Sequence, residues 1–282
     1  MNSEQLAWLI KRHGIEMTHL SKGSHIASIL SVADIVAVLY NDVANITPEN
    51  LTDENRDRVV LSKGHAGASI YAALAEKGFF DRAELKTHYA DGSRLSGHVS
   101  HKGIPGVEIS TGSLGHGACM AAGIALNAKI ENKDYYTYAI VGDGECDEGS
   151  IWEMAMFANQ FKLNKFILIV DHNKMQSLDY CENTMSLAPF AEKWRTFGWN
   201  AIEVDGHNHA ELKEAFETAK KSTDKPTVII ANTVKGKGIS FMEFNILWHY
   251  RFPHEGEEYD NAIKELNAVK PEGVVDPYEV KR

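Results

Sequence analysis

Two polar sites, each at the end of an apolar run, carry the clearest chemistry in this chain. Tyr138 to Val141 passes straight into Gly142-Asp143-Gly144. At the carboxyl end of a buried strand, Asp143 offers a hard oxygen to a divalent cation. The glycines permit a tight turn and close backbone approach, with amides of the turn and of the following helix N-terminus facing anionic oxygens. A second run, Phe166 to Val170, ends in Asp171-His172-Asn173-Lys174-Met175. Asn173 would add a side-chain carbonyl oxygen and Met175 a backbone carbonyl, and diphosphate oxygens with a water would complete an octahedral Mg²⁺ site. Gly-Asp-Gly alone is also an ordinary turn sequence. Its pairing with a second polar strand end, 30 residues on at Asn173, is what favours a ligand site.

Histidine is more often a surface or satisfied core residue than a catalyst, so each of the 13 needs its own context. His65 follows an apolar run in Ser62-Lys63-Gly64-His65, and His98 sits in a Ser-Gly-His loop. His25 precedes an apolar helical stretch, and His249 follows a glycine-containing loop, Lys235 to Gly238. Imidazoles at a ligand-binding sheet edge can move protons near neutral pH. Lys235 and Lys237 have two readings, phosphate ligands or a solvated flexible loop, and the loop is the favoured one. His13, His19, His88, His101, His207, His209 and His254 read as structural or solvated.

The elements that position these groups are short, nearly continuous apolar runs: Val59 to Leu61, Tyr138 to Val141, Phe166 to Val170, Ala201 to Val204 and Val228 to Ala231. Such runs suit strands buried on both faces of a parallel sheet. Helical patterns lie between them at Ala118 to Ile130, Ile151 to Phe161 and Ala210 to Lys220. The βαβα order predicts a doubly wound, mostly parallel α/β sheet with ligands beyond the strand carboxyl ends. The first sixty or so residues read as helices, and the segment from Glu255 as a polar helix and a tail running to Arg282.

A chain of 282 residues with 44% hydrophobic content buries a large core, as one extended domain or two small ones. Three cysteines without paired or metal-ligand spacing suggest neither a disulfide framework nor a zinc site, and fit a reducing cytoplasm. The start is amphipathic and charged, unlike a signal peptide, and no run reaches membrane-spanning length by this reading. A net charge of −10 argues against nucleic acid as a partner, so an anionic ligand must be held locally.

The segment from Gly142 to Gln176 resembles the thiamine-diphosphate motif of transketolases, in the form found in the N-terminal subunits of split enzymes. LSKGHA from Leu61, LSGH from Leu95, PGVEISTGSLGHG from Pro105 and VKGKGISFME from Val234 resemble further transketolase segments in the family's order. The resemblance implies a single domain over residues 1–282 with the thiamine-diphosphate-binding fold of the family's pyrophosphate-type domains. It implies that Asp143, Asn173 and the Met175 carbonyl hold Mg²⁺, or another divalent cation such as Ca²⁺ or Mn²⁺. Gly142, Gly144, Ser113, Leu114, His65 and His249 would surround the cofactor, with His249 also near the reactive carbon. His25 and His98 would bond sugar hydroxyls and assist proton transfer. Glu148 matches a glutamate at the contact between cofactor sites; it also reads as an exposed acid favoured by a helix N-terminus. His116 stands where the family more commonly has glutamine. Tyr180 and Tyr250 stand where split transketolases often have glycine, as pocket-shaping or surface residues.

The family also implies a missing half. Its second domain binds the aminopyrimidine ring and supplies the glutamate that activates the cofactor, and no segment here resembles it. The expectation is therefore a ketol-transferring subunit, silent without a separately encoded C-terminal transketolase subunit, the two forming a heterotetramer. Sugars or sugar phosphates would be its substrates. Two alternatives are a thiamine-diphosphate enzyme of specialised sugar or deoxysugar biosynthesis and a non-catalytic paralogue. A nicotinamide-binding domain lacks support, since no G-x-G-x-x-G opens a helix after the first strand.

Overall fold

In the computed structural model, which describes residues 1–279, the strands are β1 (Arg58–Leu61), β2 (Thr137–Gly142), β3 (Phe166–His172), β4 (Asn200–Asp205) and β5 (Thr227–Asn232). The helices are α1 (Ser3–Ser21), α2 (Ile26–Val38), α3 (Gly67–Glu76), α4 (His116–Ile130), α5 (Gly149–Gln160), α6 (Cys181–Thr184), α7 (Phe190–Thr196), α8 (His209–Lys220) and α9 (Glu257–Ala268). The last three residues of the expected tail lie outside the described residues. All strands pair in parallel, in the order β1-β2-β3-β5-β4. The doubly wound α/β architecture expected from the alternation of runs is therefore present.

Side chains alternate across the sheet as the period of a strand requires. Val59, Leu61, Tyr138, Ile140, Ile167, Ile169 and Ile229 pack on the side of α1, α2, α3 and α8. Val60, Ala139, Val141, Leu168, Val170 and Ile230 pack on the side of α4, α5 and α7. The expectation of burial on both faces fails at β4, where only partial burial is seen. β4 is an edge strand paired to β5 alone, and Glu203 and Asp205 face solvent.

A second correction concerns the apolar stretch Ile26–Val43. This helical segment of 18 residues is long and apolar enough to cross a membrane, contrary to the sequence reading. Every residue of α2 is buried within the fold, so its apolar surface is already covered by protein. A third cluster joins Trp8, Ile15, Ile26 and Leu30 of α1 and α2 to Ile239, Met242, Trp248 and Leu266. That packing carries the segment after β5 back over the strand ends and brings His249 to the N-terminus of α2.

Candidate active site

Four strands deliver residues to one edge. Beyond β1 come Ser62, Lys63 and His65; beyond β2, Asp143; beyond β3, Asn173 and Met175; beyond β5, Thr233 and Lys235. The register pairs Gly142 with Asp171 and His172 with Asn232, which sets these exits side by side. Between them lies a cavity of about 380 Å³. Of the residues assigned from the sequence, His25, His65, His98, His249, Leu114, Gly142, Asp143, Gly144, Asn173 and Met175 line it. Ser113 and Glu148 do not; both are exposed. Ser113 lies between Gly112 and Leu114, which do line it, and Glu148 follows the turn Gly144–Asp147 at the start of α5.

The imidazoles converge at one end. The His25 ring centroid lies 5.0 Å from those of His65 and His249 and 5.7 Å from that of His98. His25 caps α2 in the left-handed region, φ 78°, and its amide donates to the His249 carbonyl at 3.0 Å. A left-handed conformation is unfavourable for a non-glycine residue, so this bond and the packing of α2 hold it there. Burial pushes the His25 pKa down to about 4, with His98, Lys235 and Lys63 adding to the shift. His249 falls to about 3 through burial and Lys235, and His65 and His98 are also lowered by burial. All four are neutral near pH 7. His249 Nδ1 accepts from the Lys235 ammonium at 2.8 Å, which leaves its ring hydrogen on Nε2.

The other end is ionic. Asp143 is buried and accepts from the amides of Gly144, at 2.8 Å, and Lys174. Burial, with Asp171 behind it, pushes its pKa up to about 6. Asp171 is buried too, yet Lys63 together with hydrogen bonds from Ser31 and Thr233 outweighs burial and holds its carboxyl below the usual range. Ser31 at 2.6 Å, Asn173 Nδ2 at 3.2 Å and Thr233 complete its partners. Asp171 is thus a structural anion, and Asp143 a buried anion short of positive charge.

The expected turn is present, with Gly142 ending β2 and Gly144 opening the turn Gly144–Asp147, and neither glycine needs positive φ there. A Cβ on Gly144 would lie 2.8 Å from Gln176 Cγ. A Cβ on Gly142 would meet nothing within 4 Å, so it would project into free space beside the cavity. The turn amides were expected to face an anion, yet those of Gly142, Asp143, Gly144 and Cys146 all donate to protein oxygens. Positive charge comes instead from Lys63 and Lys235, neither of which was assigned. Lys235, read as part of a solvated loop, is buried, and its Nζ donates to the Met175 and Gln176 carbonyls at 3.1 and 3.0 Å. Burial lowers its pKa to about 8. Lys237 is partly exposed, as expected. Glu145, also missed, is buried and accepts from Ser62 and from the amides of Gly115, at 2.8 Å, and Gly142, at 3.1 Å.

The donor set fits a polyanion held through a cation. One buried carboxylate, an amide oxygen and a backbone carbonyl are hard ligands of the kind Mg²⁺ takes together with ligand oxygens. Among the described residues no three His, Cys, Asp or Glu side chains form a metal cluster, so ligand oxygens would have to complete the shell. Two buried polar atoms of residues lining the cavity, His25 Nδ1 and Ser28 Oγ, have no protein partner. Tyr250 stands at the rim, its ring 4.6 Å from His249. Tyr180 lies on the surface and donates to the Phe244 carbonyl at 3.1 Å; His116 is exposed at the start of α4.

A parallel sheet whose strand ends set Asp143 and Asn173 beside one cavity, with imidazoles opposite, is the arrangement expected of a thiamine-diphosphate-dependent enzyme domain. Residues 3–247 match the family model described as transketolase, thiamine diphosphate binding domain, and the chain belongs to that family. It is 38% identical over 253 residues to one named subunit of the apulose-4-phosphate transketolase of Phocaeicola vulgatus, covering 90% of this chain and 89% of that protein. It is 43% identical over 242 residues to 6-deoxy-6-sulfo-D-fructose transketolase subunit SqwG of a Clostridium species, covering 86% and 88%. The transketolase structure from Campylobacter jejuni superposes with a TM-score of 0.87 at 32% identity over 95% of this chain, which spans only 43% of that one.

Proposed function

We propose that this chain is the thiamine-diphosphate-binding subunit of a two-chain transketolase, transferring a two-carbon ketol unit from a ketose donor to an aldose acceptor. The observation that carries the reading is the single cavity with neutral imidazoles at one end and Asp143, Asn173, Lys63 and Lys235 at the other. When bound, thiamine diphosphate supplies the carbanion chemistry that protein side chains lack. Asp143, Asn173 and the Met175 carbonyl would hold the Mg²⁺, Ca²⁺ or Mn²⁺ ion that bridges the diphosphate. Lys63 and Lys235 add positive charge there. His25 and His98 bond sugar hydroxyls, and as neutral imidazoles they can give or take a proton. His249 can donate from Nε2.

The relatives named as subunits, matched over most of both chains, support a separate partner, and a heterotetramer with two of each chain is the simplest closed assembly. Exposed Met120, Met156, Phe157 and Phe161 on and beside α4 and α5 are apolar surface of the kind a partner covers. The free cysteines Cys119, Cys146 and Cys181 fit a reducing cytoplasm. The named substrates of the two subunit relatives carry a phosphate or a sulfonate, which supports ketoses with an anionic terminus as the substrate class.

The division of roles is tested by three alanine variants assayed with the partner subunit. His25→Ala and His98→Ala are expected to lower turnover on the order of a hundredfold while nearly preserving cofactor affinity. His65→Ala is expected to weaken cofactor binding, and identical behaviour of all three contradicts the division. Tyr250 narrows the mouth beside His25 and His249, with its ring 5.7 Å and 4.6 Å from theirs. Tyr250→Gly is expected to raise kcat/KM for six- and seven-carbon ketoses relative to four-carbon ones by about tenfold, the scale of one pocket contact. An unchanged ratio across a ketose series removes Tyr250 from donor selection.

A further inference from the structure

We infer that His207, oriented by Asp34, is a positioning residue that fixes where Lys235 presents its ammonium group to the cofactor cavity. The inference rests on the reading of Lys235 as a diphosphate-facing cation. Neither His207 nor Asp34 lines that cavity; both line a separate one of about 650 Å³ together with Lys11 and His209.

The geometry is a relay of defined hydrogen bonds. The Val234 amide donates to His207 Nε2 at 2.9 Å, so that nitrogen carries no hydrogen. His207 Nδ1 is then the protonated nitrogen, and it donates to Asp34 Oδ2 at 2.7 Å. Asp34 is buried on α2 and is held in turn by Lys11 Nζ at 2.9 Å and His209 Nε2 at 3.2 Å. The carboxylate thus selects the tautomer that leaves Nε2 free to accept, the arrangement by which one ring nitrogen is set by what the other binds.

Val234 sits between Thr233, tied to the end of β3, and Lys235, which lines the cavity. Thr233 donates to Asp171, and Lys235 reaches the Met175 and Gln176 carbonyls and His249. Gly236 follows in the left-handed region, φ 85°, its amide bound to the Ala27 carbonyl at 3.0 Å. A Cβ there would lie 2.4 Å from the Met242 carbonyl oxygen. The chain therefore leaves β5 in a fixed path, and His207 is the side chain that holds the Val234 amide, while the Val234 carbonyl accepts from the Lys237 amide at 3.2 Å. Without an acceptor at Nε2 the part-buried Val234 amide loses its protein partner, and the path that aims Lys235 into the cavity relaxes. An error on the order of an ångström in a charged group that faces an anion is enough to lose affinity.

The 282-residue chain tests this without catalysis. Nitrogen-15 spectra of histidine-labelled protein are expected to show His207 in the Nδ1–H tautomer; a dominant Nε2–H tautomer overturns the relay. By calorimetry, His207→Leu is expected to weaken thiamine diphosphate binding in Mg²⁺ about tenfold, the scale of one lost hydrogen bond. His207→Gln keeps an oxygen that can accept from Val234 and is expected to stay within about twofold of the wild type. In a Lys235→Met background the His207→Leu effect is expected to vanish, as it must if His207 acts through Lys235. Full affinity in His207→Leu, equal loss in His207→Gln, or an undiminished effect without Lys235 each overturn the inference. Normal binding by Lys235→Met alone overturns the reading of Lys235 and the inference with it, even where the tautomer is as expected. Thermal unfolding of each variant separates these outcomes from loss of the fold.

Discussion

Replacing Asp143 is expected to lower affinity for thiamine diphosphate in Mg²⁺ by about a hundredfold or more. Its carboxylate is the buried hard oxygen at the ionic end of the cavity, and losing one partner of a desolvated charge pair costs roughly 2–5 kcal/mol, where each 1.4 kcal/mol is tenfold. Asp143→Asn is the sharper variant, because it removes the charge while its amide oxygen keeps one of the two backbone bonds, which Gly144 makes to Oδ1 and Lys174 to Oδ2. The folded-state pKa of Asp143 is raised, to about 6 from 3.8. A group shifted upward contributes stability below its unfolded pKa and loses it as pH rises through the folded value. At pH 7 without a cation the ionised carboxylate therefore opposes folding, and the asparagine variant is expected to melt no lower than the wild type. Weak binding combined with an unchanged or raised Tm assigns the loss to the site. Calorimetry with Mg²⁺ and with excess EDTA decides: full affinity in Asp143→Ala, in Asp143→Asn or under chelation sinks the metal assignment.

How much of this site was legible follows from how local each signal is. Strand positions were readable because burial on both faces leaves continuous apolar runs, and Phe166 to Val170 lies within β3. The edge strand β4 escaped because its run is only four residues long, and the one charged residue in it, Glu203, was too slight a sign of an exposed face. Asp143 and Asn173 were readable since each directly follows a strand. The histidines needed the family resemblance, because His25 and His249 meet only through the third apolar cluster, more than two hundred residues apart in the chain. Lys235 was misread for the same reason. Its glycine-rich surroundings look solvated, whereas its burial depends on β5 lying beside β3 and on the chain folding back over α2. The usable signal was its place three residues beyond a strand with a buried apolar centre, as Lys63 lies two residues beyond β1. In GDGECDEG the resemblance drew attention to Glu148. The turn Gly144–Asp147 directs Glu145 inward instead, where it ties β2 to Ser62 and Gly115.

The purified chain alone is expected to fold and bind cofactor weakly, yet show no ketol transfer until its partner chain is added. Cofactor activation in this family needs a carboxylate at the aminopyrimidine ring. Among the described residues, the carboxylates lining the cavity are Asp143 and Glu145. Glu145 is taken by Ser62, Gly115 and Gly142, and Asp143 belongs to the diphosphate end. Neither is free to serve the ring, so the group must come from outside this domain. A partner that completes the cavity also preorganises it, so cofactor affinity is expected to tighten on mixing. The assay pairs a ketose donor with an aldehyde acceptor in thiamine diphosphate and Mg²⁺, run on this chain alone and with a chain resembling the transketolase C-terminal half. Restored turnover together with tighter binding fits a shared site, whereas tighter binding without turnover points to a non-catalytic paralogue. Robust turnover by the lone chain, at a rate the partner leaves unchanged, refutes the split site. The activating carboxylate would then lie within this chain, and exposed Glu148, at the N-terminus of α5, would be the first to replace.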